Sequence, residues 1–233
     1  MHRYDRSEAL IDELIAVRPD FAPAHVWKPE IALLRDGDFL PLMQAASGGI
    51  RTELPSRLPG WTAALYARDD DAALRHLDAW SGDAIDAGDK FRPRGSFYAL
   101  TYRLAGKPEA AAPDFEQARA IVEGEMSDSL EDPRMLIALG EIPVHQGAER
   151  RAIELAQQAI SLLPDRIRGP HMLRNAMLMF VAGGDLTAAI ECLDAYLAAP
   201  GYWSAEGLLP DPRLDPLRSD PRFQAVMDQY RRD

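Results

Sequence analysis

Cysteine is almost absent from this 233-residue chain. Cys192 stands alone, which excludes an intrachain disulfide and any metal site built from several thiolates. Lysine is nearly as scarce: with only Lys28, Lys90 and Lys107, arginine carries almost all the positive charge. Positive charge is itself the minority, 26 basic against 37 acidic side chains, for a formal charge of −11. Such a field repels phosphate backbones and anionic lipid heads, so nucleic acid and membrane surfaces are excluded as expected partners. No run approaches the ~20 apolar residues of a membrane span. Asp12 and Glu13 interrupt the first apolar stretch, where a signal peptide would need continuity. The expected location is cytoplasmic, or periplasmic if the chain is a fragment of a membrane-anchored regulator.

What is abundant is Ala and Leu at helical spacing, with little strand-like alternation, and this predicts an all-α protein. Breakers interrupt the helical pattern regularly, at Asp36-Gly37-Asp38, Arg68-Asp69-Asp70, Gly106-Lys107-Pro108, Gln146-Gly147-Ala148 and Gly183-Gly184-Asp185. A recurrence of roughly 30 to 40 residues marks a helical repeat array. Each breaker lies between two stretches of about four turns, hence a helix hairpin. One pair cannot bury both apolar stripes alone, so neighbours must stack, and the expectation is an open α-α superhelix of five to six hairpins. One domain spans 1–233, with degenerate repeats over 1–91, better-formed ones over 92–200 and a C-terminal cap over 201–233.

The clearest unit contains Leu136, Ile137, Gly140, Gly147, Ala152, Ala156, Ala159 and Pro164. The next has Leu173, Ala176, Phe180, Gly184, Ala189, Leu193, Tyr196 and Pro200, and the one before has Tyr98, Tyr102, Gly106, Ala111, Phe115 and Ala118. This pattern resembles the tetratricopeptide repeat. The resemblance implies that Gly140, Ala152 and Ala159 let helices cross closely and that Pro164 closes a second helix. Pro29, Pro113 and Pro143 fall inside helical stretches and predict kinks. The segment 5–17 reads as a lone second helix, as if the chain started within a repeat. At the other end, Asp211-Pro212 and Asp220-Pro221 read as capped helix starts. That tail resembles repeat arrays that close bacterial multidomain signalling regulators, which implies a sensory or partner-binding segment.

Chemical motifs are few. Neither Gly48-Gly49 nor Gly183-Gly184 continues into a phosphate loop, and no serine sits in a nucleophile elbow. Glu141, His145 and Glu149 share a four-residue spacing, but Gly147 breaks the helix that a metal site would need. Asp83, Asp86 and Asp89 lack the alternate-residue order of a calcium loop and read as a polar helix-entry turn. Cys192 reads as a buried small hydrophobe. No catalytic, cofactor or metal site is predicted, and the chain is not expected to be an enzyme.

In tetratricopeptide proteins the first helix of each pair lines a concave, peptide-binding groove. The resemblance therefore implies a groove of Arg103, Arg134, Ile137, Glu141, His145, His171, Arg174 and Leu178, basic on an acidic protein. Arginine forks suit an acidic or C-terminal peptide. Against this stands the bland reading that the arginines pair with neighbouring acids. The expected function is a protein-binding scaffold or sensor, and the alternative is a homodimerisation domain without a peptide ligand.

Overall fold

The computed structural model describes residues 4–48, 58–87, 90–126, 132–144, 148–163, 169–199 and 201–231. Its frame is set by turns that demand a left-handed residue. Gly37, Gly106 and Gly184 have φ of 74°, 71° and 82°, and Arg68 adopts 57°. Each follows a helix, where the left-handed conformation turns the chain so that the next amides reach the orphan carbonyls. The amides of Asp69, Lys107 and Asp185 donate to Ala64, Tyr102 and Phe180. Aspartate then starts the next helix: the side chains of Asp69 and Asp185 accept from Ala72 and Ala188. Arg68 thus occupies a glycine's conformation, with its side chain tied to Asp215 at 2.8 Å.

The helices are α1 (Tyr4–Val17), α2 (Ala22–Asp36), α3 (Leu40–Ser47), α4 (Pro59–Tyr66), α5 (Asp70–Ala79), α6 (Arg94–Leu104), α7 (Ala112–Met126), α8 (Pro133–Val144), α9 (Glu149–Ser161), α10 (Gly169–Ala182), α11 (Leu186–Ala198), α12 (Ala205–Leu208) and α13 (Pro221–Tyr230). The chain is mostly helical, and successive helices pack pairwise: α2 on α3, α4 on α5, α6 on α7, α8 on α9, α10 on α11. The small residues sit at the crossings. Ala118, Ala152, Ala156, Ala176 and Ala189 are fully buried. A Cβ on Gly140 would meet Leu155 of α9 and Met179 of α10, so this glycine lets three helices converge.

Several expectations are corrected. Ala84–Ala87 (β1) pair antiparallel with Lys90–Pro93 (β2), hereafter the hairpin, where a helix-entry turn was expected around Asp83 and Asp86. Four-residue strands give too short an alternation to read, yet Ile85 and Phe91 are buried while Asp86 is exposed. Pro113 causes no mid-helix kink: a 3-10 turn over Pro108–Ala111 precedes α7, which places this proline in the first turn, where no amide is missed. Pro143 lies in the last turn of α8, and only Pro29 of the three sits mid-helix. The helix expected over 5–17 is present as α1, which packs on α2, with Lys28 reaching Asp12. Gly147, Pro164 and Pro200 lie outside the described residues.

The largest correction concerns the openness of the array. Residues 202–217 cross from α11 back to the first helices. The Ser204 amide donates to Leu34 O at 3.0 Å, and its hydroxyl to Arg35 O. These are carbonyls of the last turn of α2, which no intrahelical amide can satisfy, so the returning segment supplies what the helix end lacks. Tyr4 donates to the Tyr202 carbonyl at 2.6 Å, and Tyr66 Oη to Asp211 at 3.1 Å. Trp203 packs against both large hydrophobic clusters, one built from α2 to α6 and the other from α8 to α13.

Candidate functional site

A cavity of about 340 Å³ lies between the helices, the hairpin and the returning segment. Its walls come from the first helix of each pair: Glu30 and Leu34 on α2, Trp61 and Thr62 on α4, Phe97 on α6, Ile137 and Glu141 on α8, His171, Arg174 and Asn175 on α10. The hairpin adds Phe91 and Arg92, and the returning chain adds Tyr202, Trp203 and Arg213. Aromatic faces and charged side chains share the lining. Trp61 meets Phe97 edge-on at 4.9 Å, and its indole N–H donates to buried Thr101. Tyr202 stacks on His171 at 4.1 Å, and Trp203 lies under the Arg174 guanidinium at 4.7 Å. A smaller recess of about 30 Å³ shares Arg92, Glu141 and Arg213 with the main cavity, and Ser96, Arg103 and Leu178 also line it.

Charge in this region is organised around Asp211, which is fully buried. Its carboxylate accepts two forked hydrogen bonds from Arg213, at 2.8 and 2.6 Å, and one from Arg174 at 3.1 Å. Burial alone would raise its pKa; the Arg213 charge and hydrogen bonds, with Arg174, override this and hold it below the usual carboxylate range. Arg92 forks onto Glu141, with one bond at 2.9 Å. Arg103 differs: burial, and then the nearby Arg213 cation, lowers its pKa. Its Nε is buried without a hydrogen bond.

The groove residues expected from the sequence separate accordingly. Ile137, Glu141, His171 and Arg174 line the main cavity, and Arg103 and Leu178 join Glu141 at the recess. His145 lies outside the described residues. Arg134 is elsewhere: it forks onto Asp132, reaches Asp86 at 2.7 Å and caps the Ala87 carbonyl, strapping the hairpin to α8. Arg174 is likewise not a free cation awaiting an acidic peptide, because Asp211 of the same chain already occupies it. Both arginines thus pair with acids of this chain, the alternative weighed for them from the sequence.

A local motif explains much of this. Asp132-Pro133-Arg134, Asp211-Pro212-Arg213 and Asp220-Pro221-Arg222 fold identically: the aspartate accepts the backbone amide of the arginine two residues on, and its carboxylate also takes that arginine's guanidinium. Proline fixes the backbone, and the helix start it makes points the arginine back over the cap. The caps at 211 and 220 are legible in the sequence and the fork is not, although an Arg directly after Asp-Pro is its signal. Arg92, Ser96 and the three-way partnership of Asp211 carried no such signal.

No protein-family model, no curated protein and no solved structure matches this chain. Function is therefore approached from the cavity itself. Among the described residues, no group of three or more His, Cys, Asp or Glu could hold a metal ion, and no helix is long and apolar enough to cross a membrane.

Proposed function

We propose that this chain is a tetratricopeptide-like interaction module that receives a side chain or terminal segment of a partner protein in its concave cavity. The observation that supports the reading is that every helix lining the cavity is the first of its pair, α2, α4, α6, α8 and α10. A repeat array presents one such face, and side chains from successive units converge there. The cavity combines aromatic faces with charged and polar groups, Glu30, Arg92, Glu141, Arg174 and Asn175 among them, that can fix the orientation of what enters. Its return segment narrows the site, so the partner inserts a short element and does not lie extended along the whole array. In this reading the chain serves as a sensory or docking segment within a bacterial signalling protein.

The test blocks the cavity without touching its charges. Thr62 lines the cavity wall on α4, and a Thr62→Trp variant fills the space, while Arg151→Ala changes an exposed residue on α9. A protein retained from source lysate by wild type and Arg151→Ala, and lost with Thr62→Trp, supports docking in the cavity. Retention that is indifferent to Thr62→Trp places binding elsewhere and overturns the reading. Sedimentation of the same samples decides the self-association alternative: a dimer that persists in Thr62→Trp with nothing retained favours it.

A further inference from the structure

The recess beside the main cavity holds more positive charge than the protein can balance. Arg92, Arg103 and Arg213 line it, and the carboxylates set against them are Glu141 on its wall and Asp211, which Arg213 forks. Both acids are already engaged. Glu141 is forked by Arg92, and Asp211 takes Arg213, Arg174 and the Tyr66 hydroxyl. An excess of one cation, Arg103, remains at the recess, inside a protein whose formal charge is −11. Buried charges are normally paired, because an unpaired one loses its hydration with nothing in return.

A second observation points to the same spot. Ser96 is 4% exposed, and its hydroxyl has no hydrogen-bond partner although it lines the recess with Arg103. A buried hydroxyl and a buried guanidinium nitrogen, both unsatisfied and both bordering one void, call for a shared acceptor. The recess, at about 30 Å³, has room for roughly two water-sized centres. That is the size of an acid head group. The main cavity next to it has walls of Trp61, Phe97 and Trp203, suited to a flat apolar body.

We infer that the recess binds the acid group of a small organic anion, a carboxylate or phosphate monoester with an aromatic or apolar body, held by Arg103 and Ser96. The acid oxygens accept from the Ser96 hydroxyl and the Arg103 guanidinium, and the charge offsets the arginine excess. No covalent step is involved. The site does not require that a partner protein docks in the outer cavity, so either can fail without the other.

The experiment uses the purified full chain with phenylacetate, phenyl phosphate and inorganic phosphate as probes, at constant ionic strength set with sodium chloride. Binding is read by calorimetry and by the thermal midpoint, in wild type, Ser96→Ala, Arg103→Met and the exposed control Arg151→Met. Wild type and Arg151→Met are expected to bind at least one probe and to melt several degrees higher with it. Affinity should fall more than tenfold in Arg103→Met, the usual scale for losing a charge-assisted hydrogen bond, and measurably in Ser96→Ala. Without any probe, Arg103→Met should melt no lower than wild type, since it removes a half-buried cation whose Nε has no partner. A response to phenylacetate alone assigns a carboxylate, and a response to the phosphates assigns a phosphoryl group. If no probe binds, or if it shifts all four proteins equally, the inference is overturned. Ser96→Ala, which removes a single oxygen atom, keeps the test decisive should Arg103→Met fail to fold.

Discussion

Replacing Asp211 by Ala should be among the most damaging single changes to a charged residue here, and a replacement elsewhere in the same motif calibrates it. Asp211 is fully buried and anchors Arg213, Arg174 and Tyr66. Removing one partner of a buried pair leaves charge behind, at a cost of about 3–5 kcal/mol. Unfolding entropy near 2.1 cal/mol/K per residue gives roughly 0.5 kcal/mol/K for 233 residues. The midpoint should therefore fall by roughly 6–10 °C. Asp220 has the same cap and the same fork, but its partner Arg222 is 56% exposed. For Asp220→Ala the loss is that of a cap and an exposed pair, about 1–2 kcal/mol and roughly 2–4 °C. Calorimetric or circular-dichroism melts of the two variants check this. If their midpoints agree to within about 2 °C, the claim that burial and the added partners make Asp211 a keystone is refuted. The pH dependence carries a sign. Because the folded-state pKa of Asp211 is lowered, its contribution is present above the ordinary carboxylate range, about 3.9. It is lost as pH falls through the lower folded value, so the gap between wild type and Asp211→Ala should be open at neutral pH and close in acid.

Two further outcomes follow. A Cβ on Gly207 would lie 2.3 Å from the Leu34 carbonyl oxygen, a backbone atom that cannot step aside. Gly207→Ala should therefore lift α12 off α2, lower stability by about 1–3 kcal/mol and increase proteolytic cleavage within residues 201–209; unchanged protection would contradict the closure. Burial, then Glu191 and Asp185, pushes the Cys192 thiol up to about 11. At pH 8 a thiol-reactive dye should label the native chain on the order of 100-fold more slowly than the denatured one, and comparable rates would show that the α11 face opens readily.

How much was readable in advance varies by element. The turn glycines were, because φ near 74° at Gly37 or 82° at Gly184 is a requirement of the backbone itself and leaves a residue-level trace. Arg68 was placed at the right turn by spacing alone, since its left-handed conformation is imposed by neighbours. Of the five aromatics that the helical period puts at packing positions, Phe115, Phe180 and Tyr196 are buried like the crossing alanines, whereas Tyr98 and Tyr102 are only half-buried. The hairpin was not readable, because two strands of four residues offer too few alternations. Nor was the fate of the arginines. A residue type in a periodic position says which face it occupies, but not which acid from a distant part of the chain arrives there.

The three Asp-Pro-Arg segments show where that boundary runs. In each, proline geometry and the reach of an arginine side chain over two residues are local, so the sequence by itself determined the cap and the fork. Their environments are not local. Asp220 holds an exposed Arg222, Asp132 holds the Arg134 that straps β1, and Asp211 is fully buried beside an aromatic cavity. That difference arises only when residues 202–217 return to the orphan carbonyls of α2, more than 160 residues earlier in sequence. Tertiary structure alone decided it, because burial and charge balance depend on which distant chains meet.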